Sequence, residues 1–225
     1  MATKKSDGAV IITLPEIEFK TVTVKIKGIT PLVTQPMTIK NMRKIEDKQH
    51  GAAKTKKNEI RNEWEDFIQS IYWLSTPPEE YTEKAFVKAV QSGAHYGFSV
   101  GGVKDSAVTA AVRRGVVKNA PVGRGLFQII NAKADKLYDK QCVEIITPEP
   151  PKMRVDCLST FSSGADMRYR PQFDEWRMEF DVKFDAGILS LDQLLMWFKL
   201  GGFACGLGEN RAEKGEGWGS YELDM

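Results

Sequence analysis

Apolar and polar residues alternate most cleanly between 176 and 185. Trp176, Met178, Phe180, Val182 and Phe184 fall on one side, and Arg177, Glu179, Asp181, Lys183 and Asp185 on the other. That period of two predicts a strand with one buried face. Residues 19–28 repeat it, with Val22, Val24 and Ile26 set against Thr23, Lys25 and Lys27, until Gly28 and Pro31 end the run. Thr30-Pro31-Leu32-Val33 then begins an extended segment. Leu126–Ile130, Val143–Ile146 and Met153–Cys157 are short apolar runs bounded by turn residues, which predicts three more strands. A period near 3.6 appears over 62–73, where Trp64, Phe67, Ile68, Ile71 and Tyr72 recur at spacings of three and four. Aromatics so placed belong to a core. Further helices are expected from Thr82, with Ala85, Phe86, Ala89 and Val90 on one face, and from about Asp105 to Arg114. Ser190 and Gln193 form a capping box for a last helix striped by Leu191, Leu194, Leu195 and Phe198. Gly201 is expected to stop that helix, and residues 218–223 to form a last short strand.

The final fifty residues thus read strand, helix, glycine-rich loop, strand, which is half of a split βαβ unit. Strand 19–28 and helix 62–73 would supply the other half. The expected fold class is α+β, with an RRM/ferredoxin-like core and large insertions. An N-terminal arm (1–18) would precede one domain (19–225), with a basic insertion at about 38–61 and a helical insertion at about 75–125. The arm holds the apolar triplet Val10-Ile11-Ile12. Residues 93–104, 113–125 and 158–173 read as loops.

The loop over 201–219 carries seven of the 19 glycines in the chain. Glycine reaches φ > 0 and lets a backbone approach a neighbour closely. Exposed amides beside Arg211 and Lys214 would suit phosphate, whereas the plainer reading is a helix C-cap followed by mixed turns.

Length and composition permit a sizeable core: 225 residues, 42% hydrophobic and 28% charged. The net charge of +2 means that a basic function must come from clustering. Such clusters exist. Residues 38–61 hold Lys40, Arg43, Lys44, Lys48, Lys54, Lys56, Lys57 and Arg61 against Glu46, Asp47 and Glu59. This suggests an exposed, mobile arm for a polyanion, or simply a solvated loop. Residues 104–124 hold Lys104, Arg113, Arg114, Lys118 and Arg124 against Asp105 alone. Arg168-Tyr169-Arg170 sets two cations around an aromatic ring, the composition of single-strand sites where bases stack and phosphates meet arginine. The odd set Cys142, Cys157 and Cys205 lacks C-x-x-C spacing and suits a reducing compartment. Neither a signal-peptide apolar region nor a run of roughly 20 apolar residues is evident, so a cytoplasmic protein without a membrane partner is expected.

Catalytic motifs are sparse. His50 and His95 stand in different regions without metal-ligand spacing, which argues against zinc. Either could act as a general base, though a surface or core role is the simpler reading. There is no G-x-S-x-G and no Gly-Lys-Ser/Thr, and Gly206-x-Gly208 follows a helix, not a strand, which excludes a dinucleotide fingerprint. No cofactor is expected.

Gly206-Leu207-Gly208-Glu209-Asn210-Arg211-Ala212-Glu213-Lys214-Gly215-Glu216-Gly217-Trp218-Gly219, between a last helix and a last strand, resembles the glycine-rich loop of the RAMP superfamily, the RNA-binding proteins of CRISPR systems. Val24-Lys25-Ile26-Lys27-Gly28-Ile29-Thr30-Pro31-Leu32 is similar to the first strand of that superfamily's backbone subunits. The chain as a whole looks like a group of tailed-phage proteins, with a Thr-Pro-Leu start, Arg168-Tyr169-Arg170-Pro171-x-Phe173-x-x-Trp176, and a Gly-x-Gly-Glu-x-Arg end. The resemblance implies an RRM-like fold and a strand of nucleic acid bound along a row of subunits in a bacterial host cell.

Three functions follow as expectations. The first is a non-catalytic protein that binds RNA or single-stranded DNA and assembles as a homo-oligomer or within a multi-subunit complex. Its phosphate contacts would come from Lys40, Arg43, Lys44, Lys54, Arg113, Arg114, Lys118, Arg168, Arg170, Arg211 and Lys214. Tyr169 and Trp218 would stack on bases, and Gly206 and Gly208 would shape one wall of the surface. The second is a RAMP-like, metal-independent endoribonuclease using His50 or His95. The third is a phage structural or assembly protein in which the glycine loop is only a joint.

Overall fold

The computed structural model describes residues 17–51, 61–160 and 164–224. The Val10-Ile11-Ile12 arm therefore lies outside the described residues. The chain opens with β1 (Phe19–Gly28), β2 (Leu32–Val33), α1 (Ile39–Gln49), α2 (Glu63–Gln69) and β3 (Tyr72–Trp73). It continues through α3 (Glu83–Gln91), β4 (Tyr96–Ser99), α4 (Val100–Arg113), α5 (Ala120–Gly125), β5 (Phe127–Ile130), β6 (Lys133–Ala134) and β7 (Gln141–Ile145). It closes with β8 (Lys152–Thr160), β9 (Gly164–Phe173), β10 (Arg177–Asp185), α6 (Leu191–Ala204), a 3-10 turn (Ala212–Lys214) and β11 (Tyr221–Leu223). The protein is α+β.

Alternation in β1 and β10 does what it predicts. The two strands pair antiparallel from Phe19 opposite Asp185 to Lys27 opposite Arg177. Val24, Ile26, Met178, Phe180, Val182 and Phe184 are buried on one face. β11 joins the outer edge of β1 and β5 that of β10, giving a four-stranded sheet of order β11-β1-β10-β5. α6 covers the apolar face, with Phe198 against Phe127 and Phe180, and Trp197 against Phe127. Complete burial of a side chain such as Phe198 stabilises the fold by about 1.5–3 kcal/mol. Ser190 and Gln193 close the capping box at the start of α6.

The helix beside α6 is α4, not the helix at 62–73. α4 buries Val103, Ala107, Val108 and Ala111. α2 ends at Gln69 and packs on β9, and Ile71 to Trp73 turn into β3. A second sheet has the order β2-β9-β8 and a third β3-β4-β7-β6. A bridge from Ile146 to Arg177 joins the third sheet to the first. Trp73, Tyr96, Phe86 and Phe173 stack edge-on or tilted between these layers, so one core serves all three sheets.

Seven expectations need correction. Residues 39–49 form α1, because Ile39, Met42 and Ile45 keep helical spacing within the charged run. Residues 96–99 form β4, a short strand hidden by flanking glycines, and Ser99 caps α4 five residues earlier than expected. Residues 164–173 are strand β9, and part of the expected loop at 113–125 is α5. The last strand begins at Tyr221. Gly201 does not stop α6, which runs on to Ala204. A Cβ on Gly202 would run into the Tyr221 carbonyl, and one on Gly201 would stand 2.7 Å from the Tyr221 hydroxyl. Both glycines let α6 approach β11 and α4, which offsets their low helix propensity.

Candidate nucleic-acid interface

The glycine loop leaves α6 and folds back over β2. Gly206 and Gly208 adopt φ of 68° and 73°, with Leu207 buried between them. Its amides are not bare. Leu207 N–H donates to the Gly219 carbonyl at 2.9 Å, Glu209 N–H to Val33 at 2.8 Å, and Gly219 N–H to Pro31 at 2.8 Å. A Cβ on Gly208 would collide with the Val33 carbonyl. The glycines here serve close approach of backbone to backbone, and the expectation of a cradle of free amides is corrected accordingly.

The cations of the loop are held by its own acids. Glu213 accepts from Arg113 Nη2 at 2.6 Å through one oxygen, and from Arg211 Nε and Nη2 at 3.1 and 3.0 Å through the other. Lys214 donates to Glu209 at 2.8 Å, and Arg211 Nη1 to the Gly208 carbonyl at 2.9 Å. Arg113 stands at the end of α4, so Glu213 ties two distant segments together. Between loop and helix lies a cleft of about 300 Å³, into which Asp105, Arg124, Glu209, Arg211 and Glu213 project. Arg124 donates to Asp105 at 2.7 Å across its wall.

The β8–β9 hairpin packs its charged face toward the loop. Cross-strand register sets Arg154 opposite Arg170 and Asp156 opposite Arg168. Arg154 donates to Asp156 at 2.7 Å and lays its guanidinium over the Trp218 ring, 4.3 Å from the centroid. Arg170 is only 1% exposed. Its Nη2 lies 3.3 Å from Asp156, yet Nε and Nη2 make no hydrogen bond. Burial draws Arg170 below the usual guanidinium value, against the opposing pull of Asp156 and Glu209. Arg170 is thus interior, not a loop cation. Arg168 donates to Asp166, which also accepts from Arg61. Burial alone would raise the Asp166 carboxyl, but these two arginines hold it below its ordinary range. Tyr169 is half-buried, with the Arg61 guanidinium 5.5 Å from its ring centroid.

The remaining candidates spread outward. Arg114 and Lys118 are exposed beyond Arg113 and have no acidic partner among the described residues. Lys40 reaches Asp66 at 3.8 Å, and Arg43 is exposed on α1. The Lys44 side chain and all of Lys54 lie outside the described residues. His50 is exposed at the turn after α1. His95 is exposed too, and its Nδ1 donates to Glu144 at 2.6 Å, while Lys133 donates to the other Glu144 oxygen at 2.6 Å. Burial would raise Glu144, but Lys133 and His95 together hold it low. Sequence reasoning missed Arg154, whose place opposite Arg170 depends on a pairing that became legible only once β9 was a strand.

Arg113 and Arg211 therefore meet at one carboxylate, and Arg154 and Trp218 join the hairpin to the same loop. No protein-family model matches the chain, and no curated protein is similar to it. Among the described residues, no helix is long and apolar enough to cross a membrane.

Proposed function

We propose that this chain is a non-catalytic protein that binds single-stranded nucleic acid, RNA or DNA, across the glycine loop, the end of α4 and the charged face of the β8–β9 hairpin. The observation that carries this reading is the convergence of Arg113, Arg211 and Arg154 with Trp218. These residues come from three separate segments and lie around one loop. Cations track a phosphate backbone and aromatic rings take unstacked bases. Exposed Arg114 and Lys118 extend the basic surface.

A ferredoxin-like core is supported by the order β11-β1-β10-β5, antiparallel throughout, with α6 joining two strands that flank a third. The RAMP-like reading rests on the glycine loop lying between that helix and the last strand. The solvent face of this sheet offers Lys25, Lys27, Arg177 and Glu179, and its one exposed ring among the described residues, Phe19 at the end of β1, is covered by the Lys183 ammonium 4.5 Å from the centroid. The loop and hairpin are therefore the better surface. Gel-shift measurements with labelled RNA, single-stranded DNA and duplex DNA of one sequence test the reading. Preference for the two single strands supports it, and equal or absent binding of all three rejects it.

One observation favours a second reading, a metal-independent endoribonuclease. Glu144 holds Nδ1 of His95 and leaves Nε2 open to solvent, as a general base for a ribose 2′-hydroxyl requires. Cleavage of labelled RNA in the presence of a chelator, abolished in His95→Ala, would establish it. Intact RNA would remove it.

A further inference from the structure

We infer that the position held by the Glu213 carboxylate, between Arg113 and Arg211, is a phosphate subsite, and that Glu213 is its occupant when no strand is bound. The inference rests on the proposed single-strand binding. Both oxygens of Glu213 are engaged, one by α4 and one by the loop, at 2.6 to 3.1 Å. A phosphodiester bridged by two guanidinium groups would make the same contacts, with charge-assisted bonds from each side. The arrangement is built for exchange. Glu213 sits on a single 3-10 turn, and Gly215 closes that turn with φ of 91°. Gly215 and Gly217 have open space where a side chain would stand, so the Glu213 side chain can leave its arginines without a shift of the packed glycines at 206, 208 and 219. Arg113 is half exposed, and Arg114 and Lys118 beside it give an incoming strand its first contacts. The strand then displaces Glu213, and the two arginines pass from carboxylate to phosphate. Glu209 stands in the same relation to Lys214.

A carboxylate that only braces the loop and one that occupies a ligand position predict opposite effects when removed. Glu213→Gln, Glu209→Gln and a control, Glu216→Gln, would each be titrated with a labelled 20-nucleotide poly(U) strand by fluorescence anisotropy at several salt concentrations. Each changes the charge by the same amount, but exposed Glu216 holds no cation among the described residues. The inference predicts that Glu213→Gln binds about two- to fivefold tighter than wild type. Its plot of log K against log salt should keep the wild-type slope to within about 0.7, because the same two arginines meet phosphate in both proteins. Glu209→Gln should tighten binding less and serves if the first variant loses structure. Glu216→Gln should change little. If wild type binds and Glu213→Gln binds equally or more weakly, or if Glu216→Gln tightens binding as much, the subsite is wrong while single-strand binding stands. If wild type shows no binding at low salt, the proposed function fails and takes the subsite with it.

Discussion

Arg154 and Trp218 lie 64 positions apart in sequence, with the guanidinium stacked 4.3 Å from the ring centroid. The contact fastens the β8–β9 hairpin to the glycine loop, and the loop in turn hydrogen-bonds to the carbonyls of Pro31 and Val33. The loop is therefore a clasp between sheets whose outer side carries cations. Trp218 fluorescence should report it. Arg154→Ala should shift the emission by changing the surroundings of Trp218, and should lower stability by about 0.5–2 kcal/mol. An unchanged spectrum and melting curve would show that the contact does not hold in solution.

The glycines divide into two kinds. Gly202→Ala and Gly208→Ala each place a Cβ against a backbone carbonyl, of Tyr221 and Val33. Each should destabilise by about 1–3 kcal/mol or more, measured by urea unfolding. Gly217→Ala, with open space around it, should be nearly neutral. Equal effects at all three would contradict the packing described.

Arg170 is buried against Asp156, a half-buried carboxylate that also accepts from Arg154. Asp156→Ala leaves the buried Arg170 guanidinium without its carboxylate and should cost about 3–5 kcal/mol. The double variant Arg170→Met, Asp156→Leu should recover most of that loss. A small effect of the single variant would mean that water reaches the site.

Acid should loosen the structure from identifiable points. Burial opposes ionisation at Asp166 and Glu144, but hydrogen bonds from Arg61 and Arg168, and from Lys133 and His95, depress both carboxyls. Hydrogen bonds from Lys152 and Gln172 depress Asp174. A carboxyl depressed in the folded state stabilises fully above its unfolded value, about 3.9 for Asp and 4.3 for Glu, and loses that contribution as pH falls through the folded value. The melting temperature should therefore fall steeply below about pH 4. Asp166→Asn should be less stable at pH 7 and show a shallower acid decline. A decline of unchanged steepness would assign the acid sensitivity elsewhere.

Much of the frame was legible because one face of each element is simply apolar. β1, β10 and the capped start of α6 carry their periods openly, and each formed as the pattern required. β9 was not legible, since Asp166, Arg168 and Arg170 occupy a face that is partly buried under other charges. Period-two reasoning looks for apolar residues there. Gly201 was misread because a glycine that permits helix packing looks the same as one that ends a helix. At the candidate site, sequence located the loop and its cations but not the acids that hold them. Pairs such as Arg113 with Glu213, one hundred positions apart, exist only in the folded chain.

The most direct test of the central claim is the salt dependence of binding. Wild-type protein would be titrated with a labelled single-stranded 20-mer between about 50 and 200 mM salt. Log K should fall linearly with log salt, with a slope of about −0.7 for each phosphate neutralised, and Arg113→Ala with Arg211→Ala should lower the slope by about 1.4. Absence of binding at low salt, or a flat slope, would contradict the account.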